Sequence, residues 1–299
     1  MLFKLFKFIF IPGINRFLSR TLRPVAFLIP ERYQFPVKGV FSLKIDSKHK
    51  ILLEGHYTSL LLRKLFWGGI QKYEYDSVRI FMEMVKKSKT FIDIGANVGY
   101  YSLVAGALNP KANIVAFEPF PDTYEVLKRN IKLNGFHNIT AEKLALSEKE
   151  GEETFFYKIS EDFPDEPYQL AGDNSLANYD RDEKRTIKVK ITTLDDYAKK
   201  QNLPKVDLIK MDTETTEFFI LKGARDILTN DRPVILSEVL KGFNEKELEN
   251  YLKKLNYSFY LTQPEGLKKT ASLLETNRDK AEFFFVPKEK ESLIRAWEL

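Results

Sequence analysis

Apolar and polar positions change period several times along the chain. In GVFSLKIDSKHKILLEGH, residues 39 to 56, they alternate on either side of Ser47-Lys48, which predicts a β-hairpin. YEYDSVRIFMEMVKKS carries apolar residues at helical spacing. It leads into Phe91-Ile92-Asp93-Ile94, a short apolar run that predicts a buried strand, and then into a helix over 99–108. Strand NIVAFEP (113–119) follows, then helix PDTYEVLKRNIKLNG. Pro121 stands near that helix's start, where a missing N–H costs little, and Gly135 at its end. Strand ITAEKLAL comes next. Further on the pattern gives strand VDLIKMD (206–212), helix EFFILKGARDILTN and strand PVILSEV (233–239). Helix EKELENYLKKLN, strand SFYLT and a last strand EFFFVP (282–287) complete it. Strands alternating with helices predict an α/β fold with a largely parallel sheet.

The alternation breaks between about 151 and 195. EETFFYKI and RTIKVKITTL read as strands, but the stretch between them is polar and rich in turn formers. A loop this long, about 158–184, is expected to serve as a lid or substrate loop. The N-terminus also stands apart. MLFKLFKFIFIPGINRFLSRTLRPVAFLIP mixes large apolar residues with Lys4, Lys7, Arg16, Arg20 and Arg23. Pro12 and Gly13 cut its apolar run, short of the roughly 20 residues a membrane span needs. A signal peptide would need a longer apolar region and a small-residue cleavage site. The expectation is an N-terminal helix packed on the main domain. A basic amphipathic segment, residues 1–30, in peripheral contact with a membrane is the alternative. Residues 1–64 are thus expected to form an extension, and residues 65–299 the main domain.

Composition narrows the chemistry. With 299 residues, 43% of them hydrophobic, the chain can bury a sizeable core without cross-links. It has no cysteine, which excludes disulfides, zinc–thiolate sites, iron–sulfur clusters and thiol nucleophiles, and fits a reducing, cytoplasmic setting. A net charge of +5 over this length is mild and makes nucleic acid an unlikely partner on charge alone.

The strand ending at Ile94 runs into Gly95-Ala96-Asn97-Val98-Gly99 and then a helix. In open α/β sheets, ligands bind beyond the carboxyl ends of strands. Gly95 permits a tight turn and close backbone approach, and the helix from Gly99 points free N–H groups at the same space. The next strand ends in Glu118-Pro119, 23 positions after Gly95. An acid there suits a ribose, because one carboxylate accepts bonds from both hydroxyls. Asn97 fills the place of a glycine in G-x-G-x-x-G, which disfavours a pyrophosphate and hence a nicotinamide cofactor. A P-loop ending is absent. A cationic nucleoside with an amino-acid tail fits better, with Asp93 and Asn97 holding the amino group. That ligand is S-adenosylmethionine.

FIDIGANVGYYS, VAFEPFPDTYEVLKRNIKLN, LALSEKEGE, ITTLDDY, VDLIKMDTETTEFFILKGA and PVILSEV, in this order, resemble the FkbM-type methyltransferases, as does FWGGIQKYEYDS upstream. The resemblance covers residues 65 to 240 well. It implies a Rossmann-like class I sheet of seven strands, the last antiparallel. It implies methyl transfer from S-adenosylmethionine to a hydroxyl of a sugar, glycan or natural product. By motif, Asp93, Gly95, Asn97, Gly99 and Glu118 bind the cofactor, Leu144-Ala145 contact adenine and Pro119 packs on its face. Glu74 takes the lead-in acid position and reaches toward the methionine end. One departure stands out. The family usually has Asp-x-Glu-Gly after the fourth strand, and here Thr215 replaces the glycine in Asp212-Thr213-Glu214-Thr215.

A sugar hydroxyl is a poor nucleophile, so a general base helps. Asp212, Glu214 and Glu238, at the carboxyl ends of central strands, are the catalytic candidates. The same three acids suit magnesium, but bonds to backbone or substrate are preferred and no metal is expected. The three histidines, His49, His56 and His137, are not expected in the site. Asn174 and Ser175, in the long loop, are expected to approach the acceptor. Trp67, Tyr100 and Tyr101 suit either the pocket or the core. Two other readings use the same features: a nucleic-acid methyltransferase, and a non-catalytic membrane-surface protein with a degenerate methyltransferase fold. The acids of DTETTE disfavour the first, because they repel phosphates, and the intact Asp93, Gly95 and Glu118 disfavour the second.

Overall fold

A computed structural model of the chain describes residues 9–170, 174–177, 185–276 and 279–299. The rest of the expected substrate loop (171–173 and 178–184) and the first eight residues of the basic segment lie outside the described residues.

The chain opens with helix α1 (Pro12–Leu22), followed by the hairpin β1 (Gly39–Lys44) and β2 (Lys50–Gly55). Helices α2 (Leu60–Gly68) and α3 (Tyr75–Val85) lead to β3 (Thr90–Ile94) and α4 (Tyr100–Leu108). Then come β4 (Asn113–Phe117), α5 (Pro121–Asn134), β5 (Ile139–Glu142), β6 (Ala145–Leu146), β7 (Gly151–Tyr157) and β8 (Arg185–Thr192). Helix α6 (Leu194–Gln201), β9 (Leu208–Met211), α7 (Glu217–Lys222), α8 (Arg225–Asn230) and β10 (Val234–Leu240) follow. The chain closes with α9 (Glu245–Lys254), β11 (Tyr257–Gln263), β12 (Gly266–Thr270) and β13 (Lys280–Pro287).

The main sheet has the order β12-β11-β13-β10-β9-β3-β4-β5. From β5 to β10 the strands are parallel, and β13 is inserted antiparallel between β10 and β11. The expected seven strands with the last antiparallel are all present. An eighth, β12, extends the edge as a hairpin with β11. Its sequence, GLKKT, does not alternate, and its two lysines face solvent, a pattern that discourages further pairing at an edge. The chain order reverses between β3 and β9, the switch point at which open sheets of this kind bind ligands.

Side chains alternate across the strands, so the apolar runs serve two cores. Phe91, Ile114 and Ala116 pack with α4, α5 and the hairpin, whereas Ile92, Ile94, Val115 and Phe117 pack with α7, α8 and α9. Burial on both faces explains why these strands read as continuous apolar runs. The hairpin is fastened to α5 by two asparagines. Asn134 accepts from Leu52 N (2.7 Å) and donates to Leu52 O (2.8 Å). Asn130 accepts from Glu54 N (2.9 Å) and donates to Val98 O (2.8 Å), which ties β2 to the turn after β3.

Two predicted elements break. ITAEKLAL divides into β5, in the main sheet, and β6, which pairs with β8 in a separate three-stranded sheet with β7. EFFILKGARDILTN divides into α7 and α8 at Gly223-Ala224. Gly223 packs so closely on the chain at Ser147 that a Cβ would lie 2.1 Å from the Ser147 carbonyl oxygen. Its carbonyl accepts from Asp195 N, and the Asp195 carboxylate in turn accepts from Asp226 N and Ile227 N at the start of α8. The packing demand of one glycine overrides helical periodicity.

Helix α1 packs on the domain through Leu18 and Leu22 and through two buried polar residues. Asn15 is fully buried, donating to Pro36 O (2.9 Å) and accepting from Lys38 N (3.0 Å), and Ser19 is buried beside it. Ile14 and Phe17 face outward.

Candidate active site

The turn after β3 is built from left-handed residues. Gly95 (φ 74°), Asn97 (φ 51°) and Gly99 (φ 91°) all lie in that region. Gly95 has a second reason to be glycine, since a Cβ there would lie 2.0 Å from the Asp212 carbonyl oxygen. Asn97 tolerates its conformation because its side-chain oxygen accepts from Val98 N (2.8 Å). Gly95 N and Ala96 N donate to Phe117 O, which locks the turn onto the end of β4.

Glu118 completes this half of the site. Its carboxylate accepts from Asn97 N and from Phe120 N, both at 2.9 Å, one on each oxygen. Burial pushes its pKa up to about 7 even though those two N–H groups favour the charged form. Each oxygen keeps acceptor capacity toward a cleft lined by Gly95, Asn97, Pro119, Leu144, Ala145 and Asn174, among others. A turn held tight by a backbone contact at Gly95 and a carboxylate with free acceptor sites fit a nucleoside with its ribose at Glu118.

Asp93 is placed differently from the expected contact with an amino group. It is buried, and its Oδ2 accepts from Ser102 N (3.0 Å) and Ser102 Oγ (2.6 Å), so it fixes α4 against β3. Burial raises its pKa to about 6, against the pull of Lys210 and Ser102.

A second cleft adjoins the first. It is lined by Leu60, Leu61, Tyr73, Glu74 and Leu170, and by Asp212, Glu214, Glu238 and Lys280. Asn97 and Asp212 line both clefts, so the two meet there. Asp212, Glu214 and Glu238, from β9 and β10, each bring an oxygen within 4.8 Å of the other two. The Lys280 ammonium lies 2.7 Å from Glu214 and 3.3 Å from Glu238. Lys210, buried on β9, lies 3.0 Å from Asp212 and faces the Tyr101 ring. Burial opposes its charge, but Asp212, Glu74 and Asp93 outweigh that and hold the ammonium above its ordinary pKa. For Glu238, burial and then Asp212 push the pKa up to about 8, with Lys280 pulling the other way. Glu74 accepts from Tyr101 Oη (2.8 Å), and burial raises its pKa as well.

The turn after β9 keeps a glycine-like backbone without glycine. Glu214 (φ 52°) and Thr215 (φ 84°) are both left-handed. A β-branched residue there is strained by about 1–3 kcal/mol and persists only when its surroundings hold it. Ser175 Oγ reaches Thr213 O (2.9 Å) and Glu214 O (2.7 Å), Asn244 Nδ2 donates to Thr215 O (2.6 Å), and Glu217 accepts from Thr213 N and Oγ1.

Ser175 is therefore buried and spent on backbone carbonyls rather than turned to an acceptor. Asn174 lines the Glu118 cleft and accepts from Lys158 N. Of the aromatics, Trp67 is core, donating to Phe35 O, and Tyr100 is core as well, whereas Tyr101 supports Glu74. His49 pairs with Asp46 on the hairpin, His56 packs against Tyr168, and His137 is exposed; none lines either cleft. Lys210, Lys280, Leu60 and Leu61 were not anticipated. A lysine inside the apolar run VDLIKMD was the available signal for the first. Lys280 was missed because β13 begins before the apolar run EFFFVP that marks it.

Several known proteins are similar to this chain. The chain is 26% identical over 190 residues to the hexuronic acid methyltransferase AglP of Haloferax volcanii, covering 64% of this chain and 72% of that one. It is 27% identical over 194 residues to the 2-O-methyltransferase NoeI of Sinorhizobium fredii, covering 61% and 78%. It is 30% identical over 161 residues to the methyltransferase sdnD of Sordaria araneosa, covering 44% and 59%. A crystal structure of methyltransferase FkbM from Methylobacillus flagellatus aligns with a TM-score of 0.44 at 17% identity, over 66% of this chain and 43% of that one. Residues 93–259, more than half of the sequence, match the family described as Methyltransferase FkbM domain. The chain therefore belongs to the FkbM methyltransferases, with S-adenosylmethionine as its methyl donor.

Proposed function

We propose that the protein transfers a methyl group to a hydroxyl of a sugar, glycan or other small natural product. The observation that carries this reading is Glu238, a carboxylate with a pKa near 8 in the cleft that meets the nucleoside cleft at Asn97 and Asp212. The relatives named for a hexuronic acid and for 2-O-methylation support a sugar hydroxyl as acceptor.

When bound, the donor would supply an electrophilic methyl group on a sulfonium. Glu118 would accept from the ribose hydroxyls, the Gly95–Gly99 turn would approach the ligand by its backbone, and Pro119, Leu144 and Ala145 would hold the adenine. Asn97 and Glu74 would hold the amino-acid tail, and Asp93 acts on α4 through Ser102. In the acceptor cleft, Asp212 and Glu214 would accept from neighbouring hydroxyls of the acceptor, and Glu238 would take the proton of the reacting hydroxyl, whose oxygen gains the methyl group that the sulfonium gives up in leaving as a thioether. Alignment supplies much of the rate in such a displacement, and a base adds typically 10²–10⁴-fold. No metal is invoked, because the Lys280 ammonium already lies between Glu214 and Glu238.

Residues 65–299 would form the methyltransferase domain and residues 1–64 an extension that brings peripheral contact with a membrane from the cytoplasmic side. The lack of cysteine suits that setting, and among the described residues no helix is long and apolar enough to cross a membrane. Incubation with radiolabelled S-adenosylmethionine and a panel of glycans, small alcohols and RNA tests the acceptor class. Label on a hydroxyl of a glycan or small alcohol supports it; label on RNA alone overturns it.

A further inference from the structure

Helix α1 carries large apolar residues on both faces. Its inward stripe is Asn15, Leu18, Ser19 and Leu22, whereas Ile14 and Phe17 are turned outward. Ile11 just before the helix and Val25, Phe27 and Leu28 just after it are exposed as well. Phe17 is 67% exposed, Phe27 84% and Leu28 68%. Folding normally hides such side chains, and so dense a run of them marks a contact surface.

Charge says what covers it. Beside this face, between α1 and β1, runs a groove lined by Arg16, Arg20, Arg23 and Lys38, and no carboxylate lines it. Arg23 is partly committed, donating to Ser42 O and stacking on Phe66. Lys38 pairs with Glu166. Arg16 and Arg20 are exposed, and among the described residues neither has an acidic partner. No acidic residue occurs in the first 30 positions of the sequence. An apolar face flanked by unpaired arginines complements a layer that is apolar below and anionic above.

We propose that this surface docks on a bilayer bearing anionic phospholipids, with headgroup phosphates at Arg16 and Arg20 and with Phe17, Phe27 and Leu28 in the acyl boundary. This rests on the peripheral contact proposed above and specifies its chemistry. The surface is joined to the acceptor side of the enzyme. Lys38 holds Glu166, the Phe10 ring meets Phe163, and the same loop continues to Leu170, which lines the acceptor cleft.

The test is co-sedimentation of the full chain with vesicles of phosphatidylglycerol and phosphatidylcholine, and with vesicles of phosphatidylcholine alone. Binding to the anionic vesicles, weakened by added salt, is expected. Arg16→Ala with Arg20→Ala lowers the partition coefficient about 25-fold, taking roughly fivefold per arginine at the surface. Phe17→Ser with Phe27→Ser lowers it at least about tenfold on the same vesicles. All four side chains are exposed, so the thermal midpoint and the affinity for S-adenosylhomocysteine stay as in the wild type. Equal binding to both vesicle types overturns the anionic assignment and leaves peripheral contact standing. Binding to neither overturns both, while the S-adenosylhomocysteine affinity reports separately on the methyltransferase reading. A wild-type dimer in sedimentation velocity that Phe17→Ser with Phe27→Ser converts to monomer assigns the face to a second copy and overturns the proposal.

Discussion

Gly95 and Asp212 meet backbone to backbone: a Cβ on Gly95 would lie 2.0 Å from the carbonyl oxygen of Asp212. The glycine sits just after β3 and the aspartate just after β9, so this one contact sets the distance between the turn that borders the Glu118 cleft and the carboxylates of the second cleft. Gly95→Ala forces the two apart and also strains a φ of 74°. It should destabilise the fold by about 2–4 kcal/mol and abolish detectable S-adenosylhomocysteine binding. Thermal unfolding with calorimetry checks this, and near-wild-type values for both would refute the tight turn.

Glu118 makes donor binding depend on pH in a defined direction. Its pKa is about 7 in the free protein, raised by burial. Ribose hydroxyls donate only to the carboxylate's lone pairs, so the bound state has the lower pKa. Affinity is then full above about 7 and falls as pH drops through that value, by up to about tenfold per pH unit. Glu118→Ala should weaken binding by about 10–100-fold and remove this dependence. Titration calorimetry from pH 5.5 to 8.5 measures both, and a flat wild-type profile contradicts the ribose contact.

Glu238 makes turnover depend on pH in the same sense for another reason. Held near 8, it is mostly protonated at neutral pH and becomes a base as pH rises. Turnover should climb through about 8, and Glu238→Gln should lower kcat about 10²–10⁴-fold. Lys280 lowers the Glu238 pKa, so Lys280→Met should move the inflection to higher pH. An unmoved inflection in that variant would show that Lys280 does not tune the base.

Thr215 offers a test in which a substitution toward the family residue gains stability. Its φ of 84° costs about 1–3 kcal/mol for a β-branched side chain, against about 0.5–1 kcal/mol of extra unfolded-state entropy for glycine. Thr215→Gly should therefore stabilise by about 1 kcal/mol and retain activity. A clear drop in the urea midpoint would mean that the threonine side chain contributes more than its backbone costs.

The features legible in the sequence were those encoded locally. The apolar runs gave the parallel strands, Gly135 ended α5, and the spacing from Gly95 to Glu118 marked two strand ends that the fold does bring together. What was not legible depended on distant partners. The break between α7 and α8 follows from Gly223 meeting Ser147, and the burial of Ser175 follows from two carbonyls on another turn. Lys280 meets Glu214 and Glu238 only because β13 is inserted beside β10. Asp93 looked like a ligand-facing acid, but Ser102, one helical turn into α4, takes its carboxylate.

The two clefts draw on different parts of the chain. Every residue lining the nucleoside side falls within 93–259, the span shared with the family, whereas Leu60, Leu61, Tyr73, Glu74 and Lys280 on the other side fall outside it. Substitutions at Leu60, Leu61, Tyr73 and Lys280 can therefore reshape the acceptor side, whereas Glu74 is shared with the proposed donor tail. Part of the acceptor cleft's wall can thus be rewritten in the flanks while the nucleoside cleft keeps its lining.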